Sequence, residues 1–172
     1  MSGSIDKIFD QLRRSPPTHG GTLPDATPLR HTISQPLATE ELGLLSSLPQ
    51  GLIDFWAVTA SARLFEDTVY GQWGLQLYEP TEASAATACF QRLYPEHFRH
   101  GDLILGSFLG DCDQLLIRTD QSQMDWGEVW IHSPLDERAQ WERVADDLPD
   151  FLQRYVRVAG QKFWEPHGKS QQ

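Results

Sequence analysis

A chain of 172 residues with 40% hydrophobic content, six Trp and eight Phe can bury one sizeable core and is short for two, so a single domain is expected. Its formal charge of -10 has the wrong sign for affinity built on phosphate neutralisation, which argues against direct nucleic-acid binding. No apolar run approaches the ~20 residues of a membrane span, and the opening Met1 to Asp10 lacks the basic start and apolar stretch of a secretory leader, so the cytoplasm is the expected compartment.

Ile5, Ile8, Phe9 and Leu12 stand at helical spacing, which predicts an amphipathic helix over 4–13. From Ser15 to Pro36 the chain is rich in Pro, Gly, Thr and Ser, a composition that interrupts helix and sheet and reads as an extended arm. Residues 1–38 are therefore taken as a helix and arm preceding the domain. Thr39-Glu40-Glu41-Leu42 has a hydroxyl to cap free amides and acids near the positive end of the dipole, and Pro49 suits the start of a second helix. Helices are expected at 40–47 and 49–58, with Leu45, Leu48, Leu52, Phe55 and Trp56 on one face.

Residues 62–65 and 74–78 read as a hairpin of strands, followed by a helix from Thr81 to about Pro95 with Ala86, Cys89, Phe90 and Leu93 on one face. Three further strands, at about 102–109, 114–119 and 127–132, are joined by links short enough to imply antiparallel neighbours. Asp146 or Asp147 is placed to cap a last helix, in which Leu148, Phe151, Leu152, Tyr155 and Val156 give the strongest helical pattern. Residues 159–172 read as a polar tail, its final five disordered. The two cysteines, Cys89 and Cys112, neither complete a zinc site nor imply a disulfide framework, and both read as reduced, packed thiols.

The motif series Leu48-Pro49-x-x-Leu52-x-x-Phe55-Trp56, Ile104-x-Gly106, Gly110-Asp111, Leu115-Leu116-Ile117-Arg118-Thr119-Asp120, Gly127-Glu128-Val129 and Ala145-Asp-Asp-Leu148-x-Asp-Phe151-Leu152 resembles the SUKH superfamily, which includes the fungal Smi/Knr cell-wall assembly regulators. The match spans roughly residues 39–158. The resemblance implies an α+β domain with a mixed or mostly antiparallel sheet of about half a dozen strands and packed helices. It also implies a non-catalytic protein-binding role. Bacterial members are mostly immunity proteins that neutralise secreted toxins, often nucleases, by direct binding; the fungal relatives suggest a regulatory scaffold for housekeeping partners, for which the arm would matter.

The acidic residues Glu66, Asp67, Glu79, Asp111, Asp113, Asp120, Asp125 and Glu128 fall in loops or at strand ends. Together they suggest a concave acidic face for a basic toxin domain, with Trp73 and Trp126 as desolvated anchors. Read singly, each is an ordinary solvated carboxylate. Asp111-Cys112-Asp113 with Asp102 lacks the closing glutamate of a calcium loop, and His97-x-x-His100 lacks the glutamate of a zinc hydrolase, so no metal or cofactor is expected. Cys112 with His97, His100 or His132 is the one thiol-nucleophile combination available, and the sequence shows neither a base nor an orienting group beside it. Trp130, Trp141 and Trp164 read as core or loop anchors.

Overall fold

Apolar residues three and four apart build the first helix, α1 (Gly3–Arg14), and its Ile5, Ile8, Phe9 and Leu12 are all buried. The structure, a computed structural model, describes residues 3–15, 18–19 and 27–165; the final five residues lie outside this set. Two short strands follow, β1 (Thr18–His19) and β2 (Pro28–Ile33), paired antiparallel. The segment expected to stay out of the sheet thus contributes a six-residue strand. Pro28 is tolerated as the first residue of β2, where a missing ladder donor costs least, and Leu29 is fully buried.

Helices α2 (Thr39–Leu44) and α3 (Gln50–Val58) come next. Ala38, not Thr39, is the N-terminal flanking residue of α2; Glu41 reaches back to accept from the Ala38 N–H at 3.2 Å. Strands β3 (Ala62–Asp67) and β4 (Leu75–Leu77) lead to α4 (Pro80–Leu93), then β5 (Asp102–Phe108), β6 (Gln114–Arg118) and β7 (Val129–His132). A single 3-10 turn at Arg138–Gln140 precedes β8 (Glu142–Ala145) and α5 (Leu148–Arg157). Asp147 caps α5, its Oδ1 accepting from the Asp150 N–H at 2.8 Å.

The eight strands form one sheet in the order of the chain, every pairing antiparallel. The fold is α+β. Successive side chains of a strand point to opposite faces, and β6 is buried along its whole length, so the central sheet is covered on both sides. On one face Leu105, Leu115, Ile117, Val129 and Ile131 join the main core under α1, α3 and α5. On the other, Leu116, Trp130 and His132 lie beneath α4 and the loops before β5 and β8, where Phe90, Phe98 and Trp141 surround the His132 ring. The α4 face is built on Ala83 and Thr87, and Leu93, expected on it, is 60% exposed. A helix of fourteen residues laid along one narrow strand seats its first three turns and lets its last one overhang.

The Thr87 hydroxyl ties α4 to the sheet, accepting from Ile104 N–H at 2.8 Å and donating to Ala83 C=O at 2.7 Å. The contact falls where the β5–β6 register shifts between Ile104 and Gly106, so a side-chain oxygen takes a donor the bulge leaves free. Beyond α5, Ala159, Phe163 and Trp164 pack back on the core, and Arg154 lies over the Phe163 ring at 4.2 Å. The start of the expected tail is thus part of the packed body.

Candidate functional site

A meander places its odd and even connections at opposite ends of the strands. At one end lie the β3–β4, β5–β6 and β7–β8 loops; at the other lie the β2–β3 segment, the β4–β5 segment and the β6–β7 loop. The ten residues expected to bind a partner divide between them. Glu66, Asp67, Trp73, Asp111 and Asp113 belong to the first end, and Glu79, Asp120, Asp125, Trp126 and Glu128 to the second.

Most of these carboxylates already have partners within the chain. Glu66 pairs with Arg63 at 2.7 Å. Asp67 is buried and accepts from the Val69 and Tyr70 N–H groups, closing its own turn. Asp111 and Asp113 grip Lys162 at 2.5 and 2.8 Å. Burial works against the Lys162 charge, but the hydrogen bonds it donates to these two carboxylates outweigh that and raise its pKa. Asp120 is held down to about 2 by the Ser122 hydroxyl and N–H and then by His100. Glu128 bonds Arg143 Nε at 2.7 Å and accepts from Trp130 Nε1–H at 3.2 Å. Glu79 stays exposed with Thr81 donating to it.

Asp125 belongs to a cluster that its sequence neighbours do not announce. Asp102, whose side chain is fully buried, bonds the guanidinium of Arg118, itself 3% exposed, and that of Arg138 through Nη1 at 2.5 Å. Arg118 Nε donates to Asp125 at 2.9 Å, Arg138 donates to the His97 carbonyl at 2.8 Å, and the Arg99 N–H donates to Asp102 at 2.7 Å. Burial opposes the Arg118 charge, yet Asp125 and Asp102 more than offset it and raise its pKa. Two anions against two cations, with Asp102 and Arg118 buried and Asp125 and Arg138 at the margin, form a structural lock between β5, β6 and the loop before β8. The arginine of the Leu115-Leu116-Ile117-Arg118 run carried the signal: a charge at the end of an apolar strand needs a buried counter-ion.

The histidines separate by environment. His100 is exposed beside Asp120, whereas His97 stacks on Tyr94 and its Nδ1 is buried without a partner among the described residues. His132 is fully buried among aromatic rings with both ring nitrogens unpaired among the described residues, and burial, with His97 next, lowers its pKa to about 4. Cys112 is exposed in the β5–β6 turn rather than packed, and among the described residues no hydrogen bond joins it to a histidine. The five-residue connection from Leu109 to Asp113 has no interior in which to sink a side chain. Cys89 is partly buried, and both thiols are free. Among the described residues no group of three His, Cys, Asp or Glu is arranged to hold a metal ion, and no helix is long and apolar enough to cross a membrane.

At the first end of the sheet, Val69 and Tyr70 project from the β3–β4 loop, Tyr70 being 72% exposed. At the same end is a cavity of about 190 Å³, partly open to solvent and walled by Trp73, Phe108, Tyr155 and Lys162. Gly110 closes its floor at φ +87°, where a Cβ would stand 2.1 Å from the Gln72 carbonyl oxygen, so only glycine lets the two loops meet. Trp73 was an expected anchor. Its ring packs against the core, while its Nε1 atom is buried with no acceptor among the described residues. Trp126 is partly buried in the β6–β7 loop beside a fully exposed Met124.

The chain matches the model of the SMI1/KNR4 family (SUKH-1) over residues 38–154. The chain belongs to that family. No curated protein matches it. The family segment begins just before α2, so α1 and β2, which pack into the same core and sheet, lie outside it. Members of the SUKH superfamily carry out protein–protein binding, and in this member the first end of the sheet offers exposed side chains, paired carboxylates and an open cavity together.

Proposed function

We propose that this SUKH-1 protein is a non-catalytic immunity protein that neutralises a cognate secreted toxin by direct binding in the producing cell. The observation that carries the reading is the family match over 38–154; the formal charge of -10, which would draw in a basic toxin domain, supports it. The contact surface in this reading is the β3–β4 and β5–β6 loop end. There Tyr70 is a solvent-exposed aromatic of the kind enriched at binding hot spots, and Asp111 and Asp113 are poised to exchange Lys162 for a partner's Lys or Arg. The second acidic group, around Asp120 and Glu128, is held in local ion pairs and turns and has a supporting place in the proposal.

The test is co-expression with the product of the neighbouring open reading frame, together with a pull-down. Binding plus protection of the cell is expected, and Tyr70→Ala should weaken binding by about 1–3 kcal/mol if Tyr70 is a hot spot. Absence of both binding and protection would remove the immunity reading, and full affinity in Tyr70→Ala would move the contact away from this end.

A further inference from the structure

On the outer face of the sheet, one layer of side chains covers a titratable ring that nothing pairs. His132, the last residue of β7, is fully buried, and neither ring nitrogen has a hydrogen-bond partner among the described residues. Phe90, Phe98 and Trp141 surround it with ring centroids at 5.2, 5.1 and 4.5 Å, and Tyr94 follows at 6.4 Å. Of the covering residues only Trp141 is itself buried; Phe90, Tyr94, His97 and Phe98 are half-buried. None of these rings belongs to the main core under α1, α3 and α5.

Two loop segments make most of the cover, residues 94–100 before β5 and residues 133–141 before β8. Arg138 ties them together by donating to the His97 carbonyl at 2.8 Å, and it fastens them to the sheet through Asp102. Beside this fastening is a cavity of about 260 Å³, partly open to solvent, lined by Arg99, Arg138 and Trp141 of the cover and by Leu116 and Trp130 of the sheet. The cover is therefore incompletely packed on the strands beneath it, and it forfeits fewer contacts on lifting than a core element would.

A proton on His132 meets no acceptor while the cover is closed. Burial, then His97, and also Arg138 from the turn before β8, oppose a charge there; Asp102 of β5 and Asp113 of the β5–β6 turn favour it, and the balance lowers the ring's pKa to about 4. The remaining neighbours are neutral: Phe90 of α4, the Tyr94 phenol, and Gln114 opposite on β6. Raising one layer of side chains is the shortest route to water, and it leaves the main core intact.

We propose that residues 94–100 and 133–141 form an acid-responsive flap, which lifts from the outer face of β6 and β7 when His132 takes up a proton. With a pKa of about 4 closed against 6.5 open, closure is at full strength above about pH 6.5 and weakens as the pH falls toward 4. Lifting needs no partner, so it stands or falls separately from the immunity role.

Native-state hydrogen exchange of the full chain, read by NMR in sub-denaturing urea and corrected for the intrinsic pH dependence of exchange, tests the flap. The Tyr94, His97 and Trp141 amides, all hydrogen-bonded within it, should exchange through an opening with lower protection and a smaller urea slope than amides of α3 and β3. Their protection should fall by about tenfold or more between about pH 7.5 and about pH 5, and His132→Phe should remove that fall. Flap amides that share the urea slope of the core, protection that ignores pH, or an equal fall in His132→Phe would each overturn the flap. Should that variant not fold, the wild-type ring decides: a His132 titration midpoint well below pH 6.5, moving with flap exchange, is expected, and a midpoint near 6.5 in the folded chain overturns it.

Discussion

Asp102 is the carboxylate on which two guanidinium groups depend, the buried Arg118 and the partly exposed Arg138 both being bonded to it. Removing one member of a buried ion cluster leaves the others uncompensated, which costs about 3–5 kcal/mol. Asp102→Ala should lower the stability measured by urea unfolding by that amount, more than Asp120→Ala at the exposed ion pair with His100. Equal effects would mean that the cluster is wetter than its burial implies. His132 gives a pH test. Its folded pKa of about 4 lies below the unfolded value of 6.5, so the unfolded chain takes up this proton first as pH falls. The neutral ring's full contribution is present above about pH 6.5 and is lost between there and about pH 4, on the order of 1–3 kcal/mol. His31, which accepts from the Phe65 N–H at 3.1 Å and whose pKa burial also lowers, adds a loss of the same sign. His132→Phe should therefore flatten the dependence of stability on pH in this window, and it should not destabilise at pH 7.5 because it removes two unpaired nitrogens. An unchanged slope would assign the loss elsewhere.

At the level of elements, α1 tests whether the segment before the family match is an attachment or a part of the body. Its four buried apolar side chains represent about 1.5–3 kcal/mol each, a sum comparable with the ~5–15 kcal/mol that keeps a domain folded. Deleting residues 1–14 should abolish a cooperative thermal transition, and Phe9→Ala should cost about 3–5 kcal/mol. Wild-type melting of the truncated chain would show that α1 merely decorates the fold. Deleting 1–38 would also remove β2 from the sheet, so it cannot separate a recruiting arm from a binding face. The cap of α5 is a smaller matter: Asp147→Ala should destabilise by about 1 kcal/mol, read as a shift in the urea midpoint with its slope unchanged. The helices α1, α3, α4 and α5 were legible because apolar residues recur on a helical period, which needs no knowledge of the partner surface. Strand β8, Glu142-Arg143-Val144-Ala145, was not legible, since two charges followed by two small apolar residues alternate poorly; its place comes from pairing with β7. Strand β2 was hidden by neighbouring prolines and glycines, and the sheet edge overrode that local composition.

For the whole molecule, the charge of -10 acts at a distance that local pairing does not cancel. If the partner is a basic domain, the association rate should fall by about tenfold or more as the Debye length shrinks from about 10 Å at 0.1 M salt to about 3 Å at 1 M, while dissociation changes less. Stopped-flow mixing at several salt concentrations would show this, and a salt-independent rate would exclude long-range steering. The amino-acid sequence by itself determined the order of the five helices and of strands β3 to β7, the antiparallel links among β5 to β7 and the family resemblance, because hydrophobic period, turn chemistry and short connections are properties of neighbouring residues. Tertiary structure alone decided which carboxylates are occupied, that Asp102 lies between two arginines sixteen and thirty-six positions away, and that Trp73 and Tyr155 border one cavity. Those outcomes depend on which loops share an end of the sheet and on how much water is excluded there, and both are set by long-range pairing.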